Sequence, residues 1–238
     1  MNLHPNATTD SLEVNGVEAG STSAPHRMVT NRLVLHRADP ADIEFDRLHT
    51  LFADVTDSEK VFELCGWNMH ENEADTRAYL DRQAALWEQE EKYEYVLEAV
   101  ANNEYIGTTC LEVSKDDGSG ELGLWLRKPY WGRGFGGEQT DALVHAAFEC
   151  LDAPYVVAGC LPTNRRSRRA IEKFVRRYNG AYYGSPPRVP NRSQDSEEVV
   201  PHHEWVIAHD QYASGRDGLS SFVPGVEYNE LDFDVELE

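Results

Sequence analysis

The sequence predicts a mixed α+β fold, in which helices flank one central and mostly antiparallel sheet. Three observations lead to this fold class. Residues 93–126 alternate between apolar and polar side chains and are divided by polar turns, which favours consecutive antiparallel strands. Helical and strand patterns then alternate as far as Tyr212. Between these two regions, a glycine-rich loop at Gly132–Gly137 joins a strand to a helix. The chain of 238 residues is long enough for one such core with flanking segments.

The first part of the chain contains one strand and two helices. Residues 1–27 are polar and aperiodic, so we expect a flexible N-terminal tail. Alternation over Met28–Arg37 predicts a strand, and Asp39-Pro40 is a typical start for the first helix. A second helical pattern spans about Glu73–Glu90, whereas the stretch around Trp67 breaks the periodicity and suggests a loop or a short helix.

The remaining elements follow in a regular order. Three meandering strands are expected, then a helix, a strand, a helix and a last strand. Their expected ranges are Tyr93–Val100, Tyr105–Val113, Glu121–Leu126, Gly137–Leu151, Tyr155–Leu161, Arg165–Tyr178 and Glu204–His209. A proline-rich insertion at about 185–201 precedes the last strand, and residues 213–238 form an acidic C-terminal tail. The folded domain is therefore predicted to span residues 28–212.

Composition narrows the classes of partner. The chain has 42 acidic and 22 basic residues, a formal net charge of −20, which disfavours nucleic acid and anionic membranes. An acid-rich, lysine-poor surface is typical of cytoplasmic proteins from salt-loving microbes. The four cysteines form no C-x-x-C pair, and no secretory signal precedes them, so reduced thiols, a cytoplasmic location and no metal site are expected. No apolar run approaches the roughly 20 residues that a membrane-spanning helix requires.

The glycine loop is the strongest functional signal. A strand, a glycine loop and a helix direct backbone N–H groups and a helix N-terminus at one point, which suits a phosphate. Residues 132–137 also match the G-x-G-x-x-G pattern of dinucleotide-binding oxidoreductases. That alternative is disfavoured because Pro129 and Tyr130 separate the strand from the glycines, and because the preceding strands are expected to be antiparallel. A turn without a ligand is the other alternative.

Several motifs resemble one family. The string Trp131-Gly-Arg-Gly-Phe-Gly136 resembles the acetyl-CoA loop of the GNAT acetyltransferase superfamily, [Q/R]-x-x-G-x-[G/A], with Trp131 at the position of the polar residue. The segment Glu121–Phe135, the N-x-x-S-x-x-x-x-E-K pattern of Asn164–Lys173 and the opening Thr30–Arg37 are similar to RimJ/RimL-type members. The resemblance implies a single GNAT-like domain that uses acetyl-CoA.

The resemblance also implies a donor site. The pyrophosphate of acetyl-CoA is expected on the backbone N–H groups of the loop and of the following helix. These belong to Gly132, Arg133, Gly134, Phe135, Gly136 and Gly137. The pantetheine arm is expected to pair with the strand backbone of Leu124, Trp125 and Leu126, and one N–H there would bind the thioester oxygen.

The catalytic residues of the family match this sequence less directly than the donor site does. Glu121 occupies about the place where several members of the superfamily have a general base, although a solvated carboxylate at a sheet end is an equal alternative; Glu112 and His203 are lesser candidates. The tyrosine that many relatives use to protonate the thiolate corresponds to Ile171, so Ser167 is the candidate donor, with a packing or capping serine as the alternative. Asn164 is expected to cap the helix and to touch the pantetheine.

The resemblance also implies roles for the acceptor side of the domain and for the basic side chains of the second motif. Trp67 lies where the family builds its acceptor wall, and the insertion would cover that side. Basic side chains crowd the second motif and are expected to face solvent or, in one or two cases, the 3′-phosphate of the donor. They are Arg165, Arg166, Arg168, Arg169, Lys173, Arg176 and Arg177.

These features predict an acetyl-CoA-dependent N-acetyltransferase that acts on a primary amine. A protein N-terminal α-amine is the first candidate acceptor, and a polyamine, an amino acid or an antibiotic is the alternative. A non-catalytic acyl-CoA sensor also stays open, because Ile171 cannot donate a proton. The oligomeric state is open as well, including a homodimer.

Overall fold

The computed structural model describes residues 23–53, 69–188 and 200–218. The strands within these residues are β1 (Arg27–Val29), β2 (Leu33–Arg37), β3 (Lys92–Ala99), β4 (Glu104–Val113), β5 (Gly120–Leu126), β6 (Tyr155–Cys160), β7 (Ala181–Gly184), β8 (Pro187–Arg188), β9 (Val200–Pro201) and β10 (His203–Ala208). Eight of them form the main sheet in the order β1-β2-β3-β4-β5-β6-β10-β7, and a separate two-stranded ladder pairs β8 with β9. All pairs are antiparallel except β5 with β6.

Five α-helices are described. They are α1 (Phe45–Ala53), α2 (Glu73–Glu88), α3 (Phe135–His145), α4 (Arg165–Arg177) and α5 (His209–Gly218). Asn72 begins α2 with a capping box, since its side chain accepts from the N–H of Asp75 while the Asp75 carboxylate accepts from the N–H of Asn72. A 3₁₀ turn at Lys128–Tyr130 leads from β5 to the glycine loop, and α3 continues into a π-helical turn at Ala146–Cys150.

Two apolar cores separate the helices from the sheet. One contains side chains of α3, α4 and α5, among them Leu143, Ile171 and Tyr212. The other contains Leu48 and Phe52 of α1, Leu80 of α2, and sheet residues that include Trp125. Helices therefore lie on both sides of a mixed, mostly antiparallel sheet, which confirms the predicted fold class.

The structure corrects the predicted boundaries of the domain. Residues 23–27, which the sequence assigns to the N-terminal tail, belong to the fold, because Ala24 is buried and Arg27 begins β1. The expected single strand Met28–Arg37 is a hairpin, in which Arg27 lies opposite His36. At the other end, α5 extends from His209 to Gly218, beyond the predicted limit at residue 212. The rest of both predicted tails lies outside the described residues.

The predicted insertion is closed at its base by the β8–β9 ladder, whereas residues 189–199 lie outside the described part of the chain. Within the described residues, no helix is both long and apolar enough to cross a bilayer. Cys110, Cys150 and Cys160 are free thiols, and no metal-binding group of three or more His, Cys, Asp or Glu side chains occurs in the described ranges.

Candidate active site

The two parallel strands at the centre of the sheet pair over a short distance. Gly120–Leu122 of β5 lie opposite Val156–Ala158 of β6. β5 nevertheless continues to Leu126 and β6 to Cys160, whose last residues pair with β10. The β5–β6 ladder thus ends before the two strands do. Such a discontinuity allows an extended ligand to lie beside the end of β5 in the manner of an added strand.

The glycine loop follows the end of β5. Gly132 and Gly134 have φ angles of 72° and 84°, a left-handed conformation that a glycine adopts without steric cost. Gly134 is the N-cap of α3, and its carbonyl accepts from the N–H groups of Gly137 and Glu138. The first N–H groups of a helix have no partner within the helix, so Phe135 and Gly136 present donors at this end.

The strand end and the helix start are in contact. A Cβ atom placed on Gly136 would lie 3.3 Å from Leu124 Cδ2, which is tighter than most side-chain contacts. Leu124 is 40% exposed, whereas the neighbouring Trp125 and Leu126 are buried. The residues predicted for the pyrophosphate and for the pantetheine therefore lie at one place in the fold. Their binding of a cofactor stays a prediction.

Trp131 connects this loop to the strand. Its indole Nε1 donates to the carbonyl of Leu126 at 2.6 Å, and the guanidinium of Arg166 lies 5.1 Å from the centre of its ring. The half-buried ring packs against both apolar cores. The departure from the family pattern thus has a structural role: the indole satisfies the last carbonyl of β5 and anchors the loop.

The arginines of the second motif do not act as a uniform solvated face. Arg166 Nη1 would lie 3.9 Å from a Cβ on Gly132, and Arg177 Nη2 at the same distance from one on Gly137. Arg177 also donates to Asp141 Oδ1 at 2.7 Å. Arg168 instead pairs with Glu172 one turn along α4. Two arginines of the cluster therefore border the glycine loop.

The start of α4 confirms one prediction. The Asn164 side chain accepts from the N–H of Ser167 at 3.0 Å and so caps the helix. The Ser167 hydroxyl interacts with the thiol of Cys160 at the end of β6; burial raises the pKa of that thiol to about 11, and the serine opposes the rise. Ile171, at the position of the family tyrosine, is buried in the core. Ser167 therefore stands beside the end of β6, while its catalytic role is untested.

Glu121 and Trp125 lie four residues apart on β5 and so share a face of the sheet, and Trp125 packs in the core with α1 and α2. Glu121 pairs in register with Glu112 of β4 and Val157 of β6. These three residues line a cavity of about 810 Å³. Its charged lining has one basic and five acidic side chains: Lys115, Glu91, Glu112, Asp117, Glu121 and Glu204. The cavity thus favours a cation next to Glu121.

A buried ion pair beside this cavity is not indicated by the sequence pattern. Glu94 is 1% exposed and contacts Lys92 Nζ at 2.8 Å and the Tyr79 hydroxyl at 3.1 Å. Burial opposes the charge on Lys92, but Glu94 outweighs it and raises the lysine pKa. Burial likewise raises the pKa of the nearby Cys110 thiol to about 12, with Glu121 among the contributing carboxylates. Lys92 and Glu94 lie two residues apart on β3, so the sequence predicts that both side chains point to the same face of the sheet. It does not indicate that Tyr79 of α2 is the hydrogen-bond partner of Glu94.

The other candidates are less informative. Trp67 lies outside the described residues. His203, a lesser candidate for the base, forms a 2.8 Å hydrogen bond through Nδ1 with the exposed Tyr182 hydroxyl.

Comparison with known proteins identifies the family. The family model described as "Acetyltransferase (GNAT) domain" matches residues 32–174, which is more than half of the chain. The chain belongs to the GNAT acetyltransferase family.

Three solved structures illustrate the shared fold. A GCN5-related N-acetyltransferase from Brucella melitensis has a TM-score of 0.64 at 15% identity, and the match covers 86% of this chain and 90% of that one. An acetyltransferase from Salmonella typhimurium that modifies the N-terminal serine of ribosomal protein L7/L12 has a TM-score of 0.60 at 16% identity, covering 75% and 96%. The microcin C7 self-immunity acetyltransferase, in complex with acetyl-CoA and AMP, has a TM-score of 0.62 at 11% identity, covering 79% and 98%.

Proposed function

We propose that this protein transfers the acetyl group of acetyl-CoA to a primary amine of a cationic acceptor, in the manner of RimJ/RimL-type enzymes. The observation that carries the proposal is the early end of the β5–β6 ladder beside a glycine loop that begins a helix. In a chain of this family, that arrangement suits a donor with an extended arm and a pyrophosphate.

The donor would follow the strand and the loop. The N–H groups of the loop and of the first turn of α3 hold the pyrophosphate, while the β5 backbone at Leu124–Leu126 holds the pantetheine. A side chain at Gly136 would press on Leu124, and so the loop can lie close to the strand only with glycine there. An N–H near the end of β5 would stabilise the oxyanion that forms on the thioester.

The acceptor would approach from the acidic cavity. Its excess of carboxylates attracts a cation, and Glu121 in its wall can remove a proton from the ammonium form of the acceptor. The free amine nitrogen then attacks the acetyl carbonyl, the carbon–sulfur bond breaks, and the second proton lost by the nitrogen passes to the departing thiolate, so the products are the amide and the CoA thiol. Ser167 would donate a hydrogen bond to that thiolate. A protein N-terminal α-amine and a polyamine both meet these requirements.

The direct experiment is CoA release from acetyl-CoA, measured with a panel of N-terminal peptides and small amines, with mass spectrometry of the products. We expect turnover with cationic acceptors and little with neutral or anionic ones. Binding of acetyl-CoA without turnover on any acceptor would favour the acyl-CoA sensor, which the buried Ile171 supports.

The role of Ser167 has its own test. Ser167→Ala should lower kcat several-fold with little change in KM for acetyl-CoA, because a hydrogen bond to the thiolate forms mainly in the transition state. Full turnover in this variant would remove Ser167 from the mechanism.

We also propose that the protein works in the cytoplasm of a salt-accumulating cell. The charge of −20 on 238 residues supports this proposal. The measurable consequence is a melting temperature that rises with salt concentration.

A further inference from the structure

The turn between β1 and β2 reaches the first turn of α3, 106 residues away along the chain. Arg32 Nε donates to Glu138 Oε2 at 2.7 Å, and the Arg32 backbone N–H donates to Glu138 Oε1 at 2.8 Å. The Thr30 hydroxyl donates to the same Oε1 at 2.5 Å. Glu138 therefore accepts three hydrogen bonds from one hairpin turn, and its side chain is only 11% exposed.

The same guanidinium also touches the glycine loop. Arg32 Nη1 donates to the carbonyl of Arg133 at 2.9 Å, and the group lies 4.6 Å from the centre of the Phe135 ring. A Cβ atom on Gly134 would lie 3.0 Å from Arg32 Nη2. One side chain thus contacts three consecutive residues whose N–H groups are candidates to hold the pyrophosphate.

We infer that Arg32 is a positioning residue for the phosphates of the donor. It fixes the loop in its left-handed conformation, and it neutralises a carboxylate that would otherwise face the bound anion. This inference rests on the proposed function, since it assumes that the pyrophosphate occupies the loop.

The negative charge of Glu138 explains why a cation is needed at the position of Arg32. A carboxylate in the first turn favours the helix itself, because it lies near the positive end of the helix dipole. A phosphate at the same end is repelled by that carboxylate unless a cation lies between them. Without Arg32, Glu138 would keep only the neutral donors of Thr30 and of the backbone, so no cation would lie between the carboxylate and the phosphates.

Isothermal titration with CoA tests this arrangement. Arg32→Ala should weaken CoA binding about tenfold or more, in line with the loss of a charge-assisted contact. Glu138→Gln alone should change it little. Adding Glu138→Gln to Arg32→Ala should recover part of the loss, because the exposed negative charge is then gone. Arg82→Ala, at an exposed arginine of α2, is the matched control for charge and should stay within about twofold of the unmodified protein.

Kinetics separate positioning from a general loss of structure. Arg32→Ala should raise KM for acetyl-CoA and leave kcat at saturation unchanged, whereas reaction with S-acetylpantetheine, which has no phosphates, should be unaffected. Arg32→Lys keeps the positive charge but lacks the planar guanidinium. Its KM for acetyl-CoA should lie between those of the unmodified protein and of Arg32→Ala. The melting temperature of each variant is recorded alongside.

The inference is wrong if Arg32→Ala binds CoA as tightly as the unmodified protein, or if the double variant is no better than Arg32→Ala. Equal losses with acetyl-CoA and S-acetylpantetheine would also overturn it, since the defect would then not involve the phosphates. If the unmodified protein bound no CoA, the proposed function itself would fail, which the first titration reveals.

Discussion

Trp131 shows how one side chain can complete a strand that has lost its neighbour. The carbonyl of Leu126 is the last acceptor of β5, and the indole N–H reaches it from the loop that follows. The guanidinium of Arg166 lies over the indole ring, 5.1 Å from its centre. The indole therefore binds the protein's own backbone and fixes the start of the loop.

Replacing Trp131 by phenylalanine should therefore cost stability and donor affinity together. The variant keeps an aromatic ring but loses the bond to Leu126, at about 1 kcal/mol. The melting temperature should fall by roughly 2–4 °C, and KM for acetyl-CoA should rise. Tyr182→Phe, which removes a hydrogen bond from an exposed ring, is the control and should change neither. An unchanged melting temperature in the Trp131 variant would show that the indole bond contributes nothing.

Glu121 is the residue on which the acceptor preference should depend most. Releasing the proton of a lysine-like amine at neutral pH costs roughly 4–5 kcal/mol, against about 1 kcal/mol for an α-amine. Glu121→Gln should thus lower kcat/KM by about 10²-fold for a polyamine, and by much less for an N-terminal peptide. The loss should shrink as the pH rises toward the pKa of the acceptor.

Glu112→Gln is the matched control, because Glu112 lies opposite Glu121 in the β4–β5 ladder and lines the same cavity. The pH–rate profiles of both variants provide the measurement. Equal losses in the two variants would mean that the carboxylates attract the acceptor jointly. Glu121 would then not be the base.

At the scale of elements, the sequence predicts those helices and strands whose formation depends on residues close together in the chain. The meander of β3, β4 and β5 follows from period-two alternation between polar turns, and the start of α4 follows from Asn164 as its cap. The sequence does not separate β1 from β2, because three residues give too little alternation. The π-helical turn at Ala146–Cys150 likewise continues an apolar helical pattern that carries no sign of a change in hydrogen bonding.

Long-range pairings explain most of what the sequence does not reveal about the site. The glycine loop is evident from its composition, yet nothing near it indicates that Arg32 and Glu138 meet across 106 residues. The bond between Trp131 and Leu126 is shorter in sequence, but it depends on the 3₁₀ turn that folds the chain back. The cavity is formed by several strands, so its acidic character appears only when the sheet is assembled.

Substitutions in the glycine loop can separate the stability cost of a left-handed residue from a loss of acetyl-CoA binding. Gly134→Ala places a side chain at φ 84°, near Arg32, and Gly118→Ala places one at φ 73°, where the nearest atom is 3.9 Å away. Both variants should lose about 1 kcal/mol of stability from the left-handed backbone. Only Gly134→Ala should also weaken acetyl-CoA binding, by about tenfold or more, as measured by titration. If Gly118→Ala weakened binding equally, the loss would follow from stability and not from the loop.

At the scale of the whole molecule, the net charge of −20 makes stability depend on salt. Like charges repel across the surface, and the Debye length falls from about 14 Å at 50 mM salt to about 3 Å at 1 M. The melting temperature should therefore rise steeply between 50 mM and 1 M KCl and then flatten as the screening saturates. Thermal unfolding followed by circular dichroism provides the measurement. A melting temperature independent of KCl would remove the argument for a high-salt cell.

A charge reversal distinguishes screening from other effects of concentrated salt, such as the exclusion of solutes from apolar surface. Arg82 lies exposed on α2, away from the cavity lining, so Arg82→Glu replaces a positive charge by a negative one and makes the net charge more negative by two, without removing a buried contact. The variant should melt below the unmodified protein at 50 mM KCl and at the same temperature at 2 M. If the difference persisted at 2 M, a local contact of Arg82 would be its cause. Convergence of the two curves would instead show that self-repulsion of the acidic surface limits stability at low salt.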